Sequence, residues 1–347
     1  MPLTVRRRLP AALATIVAVA VLLTSAALPA AAEPNSGPNE GTSAKVKTLR
    51  TNLEAAAVGY LQAQEALDVS RKRQRELTAT LLAAENKLAR LRAGVAGYAA
   101  EAYKTGRLGV MGAMLNATSP DDLLARSAAL ERMSARDDAA LAELGAVTRQ
   151  AAQAKAGIDT EVKEQARQTS ELAKRKKAAE LALSAVGGYA TRGWVDPNSP
   201  LAAPARRNAD GSWPGEGCTI NDPSTSGCIT PRTLHALQQS QKAGFKRHVS
   251  CYRPGDMYEH PKGRACDFSS EVDGFKNFSS TGESKLYGDK LASYLVKNAS
   301  RLGVLYVIFY CKIWLPATGW KTYSPTGSRC GDDPAGDHTN HVHLSMY

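Results

Sequence analysis

The segment His341-Val342-His343-Leu344-Ser345-Met346 alternates polar with aliphatic residues along its whole length. Successive side chains of an extended chain point to opposite faces. A strand here therefore buries Val342, Leu344 and Met346 in a core and presents His341, His343 and Ser345 together on the other face. Upstream, His260-Pro261-Lys262-Gly263-Arg264-Ala265-Cys266-Asp267 gathers a second set of polar groups. Ala265 and Asp267 project to one side of an extended run, and Gly263 permits close backbone approach.

Together His260, Asp267 and His343 offer two imidazole nitrogens and one carboxylate oxygen. Three such ligands leave the fourth position of a tetrahedral zinc open, the arrangement of a catalytic rather than a structural site. A site of that kind lowers the pKa of water and polarises an amide carbonyl. His341, on the same face, is a candidate for orienting or protonating groups during such a reaction. His338 reads as a turn or supporting residue, and His235 and His248 as surface or core residues without a chemical role.

The pattern His-x-x-Gly-x-Ala-x-Asp, met by His260, Gly263, Ala265 and Asp267, followed by a distal His-x-His, met by His341 and His343, resembles one metallopeptidase group. That group contains D-alanyl-D-alanine carboxypeptidases and dipeptidases, penicillin-insensitive murein endopeptidases and lysostaphin-like enzymes. The resemblance implies a zinc site on His260, Asp267 and His343 and a substrate in cell-wall peptidoglycan. Cys251-Tyr252-Arg253 is similar to the strand end that precedes the metal motif in the carboxypeptidase branch, where the arginine steadies the substrate carbonyl. A fixed guanidinium suits developing negative charge, although Arg253 also fits an ordinary surface or salt-bridge arginine. The chain departs from that branch at Asn340, where a carboxylate base is expected three residues before the last ligand. Either His341 serves as base, or Glu259 or Asp337 is recruited, or the site binds zinc with little turnover.

Outward from these motifs the composition changes sharply. From 45 to 186 alanine, leucine and charged residues dominate, and the positions Leu77, Leu81, Ala84, Leu88, Leu91, Val95, Tyr98 and Ala102 step alternately by four and three, a coiled-coil seam. Leu53, Ala57, Tyr60 and Leu67 continue it one residue out of register. A second, weaker ladder runs through Leu144, Ala151, Ile158, Val162, Leu172, Ala179, Leu183 and Val186, with polar residues at several seam positions. Between them, glycines at 106, 109 and 112 interrupt the helix, and Ser119-Pro120-Asp121-Asp122 supplies a cap, an N1 proline and acids for a new helix start. Two antiparallel helices joined at this tip are expected. The tip resembles that of the regulatory coiled coil of secreted peptidoglycan hydrolases governed by a membrane division complex related to ABC transporters. An inert spacer stalk is the alternative.

Residues 187–211, rich in proline, glycine and arginine, read as a linker, and 212–347 as a small α+β domain. There Thr230-Pro231 starts a helix ending at Gly244, Phe245–Tyr252 is a strand, 284–302 a helix and 304–310 a buried strand. The expected fold is thus an α+β, disulfide-containing, metallopeptidase-like C-terminal domain preceded by an antiparallel α-helical coiled coil.

At the other end, Arg6-Arg7-Arg8, an apolar run from Ala11 to Leu28 and Ala30-Ala31-Ala32 form the three regions of a signal peptide over 1–32. This is favoured over an uncleaved anchor helix by the small-residue cleavage site. Residues 33–44 are a polar lead-in. Export agrees with six cysteines, all between 218 and 330, an even number that reads as three disulfides. The neighbour pairing Cys218–Cys228, Cys251–Cys266 and Cys311–Cys330 is preferred among the alternatives, and a cysteine nucleophile is disfavoured. The net charge is +11, but 212–347 carries fifteen Lys and Arg against twelve Asp and Glu, so the excess lies elsewhere. No nucleic-acid motif accompanies it, and a basic exported protein is drawn instead to anionic wall polymers or lipid headgroups.

Two functions compete at this level. One is a secreted zinc peptidase of peptidoglycan, cutting an amide bond of the stem or cross-bridge under control of the coiled coil. The other is a wall-binding or activator protein that keeps the fold without turnover, which the residue at 340 favours. Zinc content and turnover on purified peptidoglycan separate them.

Overall fold

The alanine- and leucine-rich stretch forms two long helices in the computed structural model, which describes residues 44–347 except Tyr189, Val195, Asp256 and Met257. The expected signal peptide and, but for Ala44, the lead-in lie outside the described residues. Helix α1 (Ala44–Leu115) bends at Gly106, whose φ of 57° leaves the helical region. Helix α2 (Pro120–Ala185) starts as expected, with Ser119 as N-cap accepting from the amide of Asp122 and proline at its first position. The helices pair antiparallel within the chain, with Lys87 on Glu143 near the tip and Ser70 on Glu161 nearer the root. Ala84, Leu88 and Val147 are buried in their seam. Val162, expected in the seam, is 49 % exposed. Glu161 is turned inward instead, accepting from Ser70 (2.7 Å) and paired with Arg73 (3.2 Å). A buried carboxylate keeps its place by such partners, so a polar layer displaces the aliphatic residue.

After α2 the described residues of 187–211 form no helix or regular strand and pack along the domain: Ala202 is buried and its amide donates to Asn298. A small hairpin, β1 (Ile220–Asn221) and β2 (Cys228–Ile229), leads to α3 (Pro231–Lys242), capped by Thr230. Then come β3 (Val249–Ser250), β4 (Ala265–Ser269), α4 (Gly282–Lys297), α5 (Ala299–Leu302), β5 (Val304–Phe309), β6 (Lys312–Leu315), β7 (Gly319–Thr322) and β8 (His341–Met346). The strand expected over 245–252 is only two residues long. The single helix expected over 284–302 is two, broken at Asn298, whose amide donates to the carbonyl of Pro200 and so ties the helix break to the incoming chain.

Six strands form one antiparallel sheet in the order β3-β4-β8-β5-β6-β7. Its alternation sorts the side chains. Phe268, Val307, Phe309, Val342, Leu344 and Met346 enter a core with Leu291 and Leu295 of α4 and Leu237 of α3. On the opposite face Tyr306, Ile308, Ile313 and Leu315 pack against Leu53 and Ala57 of α1 and Leu183 of α2. The root of the helical hairpin therefore covers the same sheet face on which His341 and His343 stand. All three neighbour disulfides are present, Cys218–Cys228, Cys251–Cys266 and Cys311–Cys330, and no cysteine is free.

Candidate metal centre

Strand β8 lies at the middle of the sheet between β4 and β5, with Asp267 opposite His343 and Ser269 opposite His341. Facing residues of paired strands share a side, so the register alone sets the carboxylate beside the last histidine. His260 arrives from the turn before β4. That turn is tight: Gly263 has φ 68°, and a Cβ there would lie 2.5 Å from the sulfur of Cys218 and 2.7 Å from the carbonyl of Cys228. The glycine of the motif is thus required by the first disulfide hairpin, against which the ligand turn packs.

Asp267 is the hub and is fully buried. Around its carboxylate stand Arg253 Nη1 at 2.8 Å, His343 Nδ1 at 2.8 Å, His260 Nε2 at 3.2 Å and His341 Nε2 at 3.5 Å. Burial alone would raise its pKa, but His260, Arg253 and His341 outweigh burial and hold it well below the usual carboxylate range. In the other direction, burial pushes His341 and His343 down to about 4, so both rings are neutral at pH 7 and can offer lone pairs.

Donor atoms of His260, Asp267 and His343 all lie within 4.8 Å of one another, a buried group that could hold a metal ion. The hydrogen-bonding suits that role. His260 turns Nδ1 to the carbonyl of Cys251, which can only accept, so Nδ1 carries the proton and Nε2 is a bare lone pair. That lone pair faces Asp267 and His343 Nδ1 at 3.3 Å. Either the ring proton of His343, held on Nδ1, or a shared cation satisfies these close atoms. Outer partners of this kind fix which ring nitrogen is free to bind a metal. On its far side His343 Nε2 meets Ser345 Oγ at 2.8 Å, and the Tyr306 ring stacks on it, with centroids 5.5 Å apart.

The other residues of interest take distinct places. His341 is fully buried, its Nδ1 bonded to Asn340, and its Nε2 has no hydrogen-bond partner among the described residues. Arg253 is one-fifth exposed, is paired with Asp267 through Nη1, and lines the same cavity as His260 and His343. His338 stands in a turn beside the site, its ring centroid 5.6 Å from that of His343. In a left-handed conformation (φ 53°), it donates from Nδ1–H to the carbonyl of Gly336 and lines the cavity with His260 and His343. Glu259 is buried with one oxygen unpartnered and its pKa raised to about 7, by burial first and then by Glu54. Asp337 is engaged by the amides of Gly331 and Asp333.

The cavity at this centre is only about 40 Å³, and three of its lining residues, Arg50, Leu53 and Glu54, come from α1. Binding pockets for small ligands run to about 300–1,000 Å³, so with α1 in place the space admits little more than water. No sequence pattern announces these three: Leu53 belongs to the seam, and Arg50 and Glu54 read as solvated charges. Ser345 was legible through its alternation with His343, whereas Tyr306 required knowing that β5 lies beside β8.

With this geometry in hand, comparison with known proteins adds one match. Residues 225–338 match the model of the VldE C-terminal domain family. The match takes in roughly a third of the chain, including His260 and Asp267, and stops short of His341 and His343. No curated protein matches the chain. Among the described residues no helix is long and apolar enough to cross a membrane, and the three disulfides are compatible with an extracellular protein.

Proposed function

We propose that the C-terminal domain is a zinc-dependent peptidase of peptidoglycan, hydrolysing an amide bond of the wall stem peptide or cross-bridge, and that the coiled coil regulates it. The observation that carries this reading is the convergence of His260, Asp267 and His343, with their outer hydrogen bonds, beside an arginine and a neutral imidazole. Zinc bound there would supply Lewis-acid activation of the amide carbonyl and of water. His341 would hold or move a proton at Nε2, because Asn340 keeps its Nδ1 engaged. Arg253 would steady charge on the substrate carbonyl oxygen with the guanidinium donors that Asp267 leaves over. The helical hairpin, resembling the regulatory coiled coils of secreted hydrolases, would take its signal from a membrane division complex at the tip. Zinc analysis of purified protein, followed by mass spectrometry of peptidoglycan fragments after digestion, tests the proposal. Metal without any new fragment on several wall types would defeat it.

A second reading, a wall-binding or activator module without turnover, draws on one observation. Asn340 does not face the ligands; it is buried against the Lys276 carbonyl and His341, so no carboxylate stands where the carboxypeptidase branch keeps its base. The same digestion experiment, paired with a peptidoglycan pull-down, separates the two.

A further inference from the structure

An inner and an outer cavity meet where α1 joins the domain. The inner one, about 40 Å³, is the space lined by His260, His338 and His343. The outer one, about 320 Å³, lies at the surface, lined by the exposed Lys47, Thr51 and Lys262 and by Val58. Glu54 and Tyr258 line both, so these side chains stand between the surface and the histidines. Glu54 accepts from the part-exposed Lys262 at 2.7 Å, and the Arg50 guanidinium carbon lies 4.9 Å from the ring centroid of Tyr258. Tyr258 has a left-handed backbone, with φ 63°, a conformation that a residue of this size adopts only at a cost.

The contacts that hold this junction together differ in strength. Leu53 and Ala57, 4 % and 2 % exposed, are buried with Tyr306, Ile308 and Ile313 and fix α1 on the sheet through apolar burial. The partition is held by a part-exposed ion pair and a cation over an aromatic ring, each weak on its own. When Glu54 swings away, Lys262 keeps Glu259 as its partner at 2.8 Å, so opening strands no charge there. We propose that Glu54 and Tyr258 form a gate between the outer cavity and the candidate metal centre, opening by movement of these side chains while α1 stays seated on the sheet. The strained backbone of Tyr258 agrees with that role, because strain held in place by its surroundings recurs in switch segments. The inference rests on the proposed function only in treating His260 and His343 as the destination, because passage is read on metal-free protein.

The test labels the full, metal-free chain with diethyl pyrocarbonate, a small reagent that acylates neutral imidazole, and follows each histidine by peptide mass spectrometry. His235, which lines neither cavity, is the internal reference. In wild type His260, His338 and His343 should label far more slowly than His235. Tyr258→Gly with Glu54→Ala should raise their rates by about tenfold, the scale of one cation–aromatic contact and one part-exposed ion pair lost together, and leave His235 unchanged. Glycine accepts the left-handed backbone and alanine suits a helix, and thermal midpoints check that the fold persists. Tyr258→Phe, which keeps the ring, should label like wild type. Wild-type cavity histidines as reactive as His235, a double variant no faster than wild type, or a gain confined to protein whose midpoint has collapsed overturns the gate. Zinc content of the same preparations keeps the two readings apart. Tyr258-dependent labelling of a protein that takes up no zinc would sink the metal site and leave the gate standing; stoichiometric zinc with labelling indifferent to Tyr258 does the reverse.

Discussion

The Nδ1–H of His341 donates to the side-chain oxygen of Asn340 across 2.6 Å. An amide oxygen cannot give up a proton in return, so this bond assigns the tautomer of His341 and turns a basic Nε2 toward Asp267. The residue that breaks the carboxypeptidase-like pattern is thereby a positioning group for the imidazole that would replace its carboxylate.

His341→Ala should leave metal content nearly unchanged and lower peptidoglycan cleavage by about 10²–10⁴-fold, the scale of one general acid or base. Asn340→Ala, which frees the ring to rotate, should fall between wild type and that variant. Asn340→Glu should gain nothing, because the side chain at 340 points to Lys276 rather than to the ligands. Fragment yields from the three variants and wild type decide it, and an active His341→Ala would remove the imidazole from the mechanism.

His343→Ala deletes one of the three proposed ligands and should abolish stoichiometric zinc binding, together with the stability coupled to it. Elemental analysis and thermal melts with and without chelator provide the measurement. Wild-type protein, refolded oxidised in the presence of zinc, that carries no metal would refute the ligand assignment.

The metal-free domain should be acid-labile well above the range of carboxylates. His341 and His343 titrate near 4 when folded, against 6.5 for an ordinary histidine. Above 6.5 these two rings are unprotonated in both states and add no slope. Glu259, raised to about 7 when folded, gives a smaller opposing slope, which the two histidines together outweigh below 6.5. Between 6.5 and 4 the unfolded chain takes up protons that the folded chain refuses, so stability falls as pH falls. Asp267, with its pKa depressed, extends the loss below 3.8. Urea midpoints at pH 7 and pH 5 read the slope; identical midpoints would contradict the burial of neutral rings, and His341→Asn should flatten the dependence.

Reduction should unfold the domain and spare the helical hairpin. Each disulfide stabilises by about 2–4 kcal/mol, all three lie beyond residue 211, and α1 and α2 contain no cysteine. With reductant present, near-ultraviolet dichroism of the domain should disappear at temperatures where far-ultraviolet helicity persists. Loss of both signals together would show that the hairpin depends on its domain.

Gly263→Ala should destabilise the domain by about 2–4 kcal/mol, combining a left-handed backbone for a residue with a Cβ and an overpacked contact. The Cβ would meet both the Cys218 sulfur and the backbone of Cys228 and Ile229, which cannot yield as a flexible side chain can. A chemical denaturation curve close to wild type would show that the turn relaxes.

Local patterns in the chain were enough for several features. Strand alternation places His341, His343 and Ser345 on one face, and the Ser119-Pro120 cap dates the start of α2. Each follows from interactions between residues near in sequence, where backbone geometry leaves few choices. Val162 failed because seam periodicity counts apolar residues and cannot see that Ser70 and Arg73, on the other helix, provide partners for Glu161. The strand expected over 245–252 shrank to two residues because pairing depends on what β4 offers opposite.

Only tertiary structure assigned Arg253 to Asp267 and showed that Asn340 serves His341. Only it seated Arg50 and Glu54 over the candidate metal centre, more than two hundred positions from Lys262 in the chain. The physical reason is one of range. Periodicity and capping act over one or two turns, whereas desolvation and charge pairing depend on which surfaces the closed sheet and the folded-back helices bring together. A charge on a solvated helix face and a charge in a buried cavity are the same letter until that packing exists.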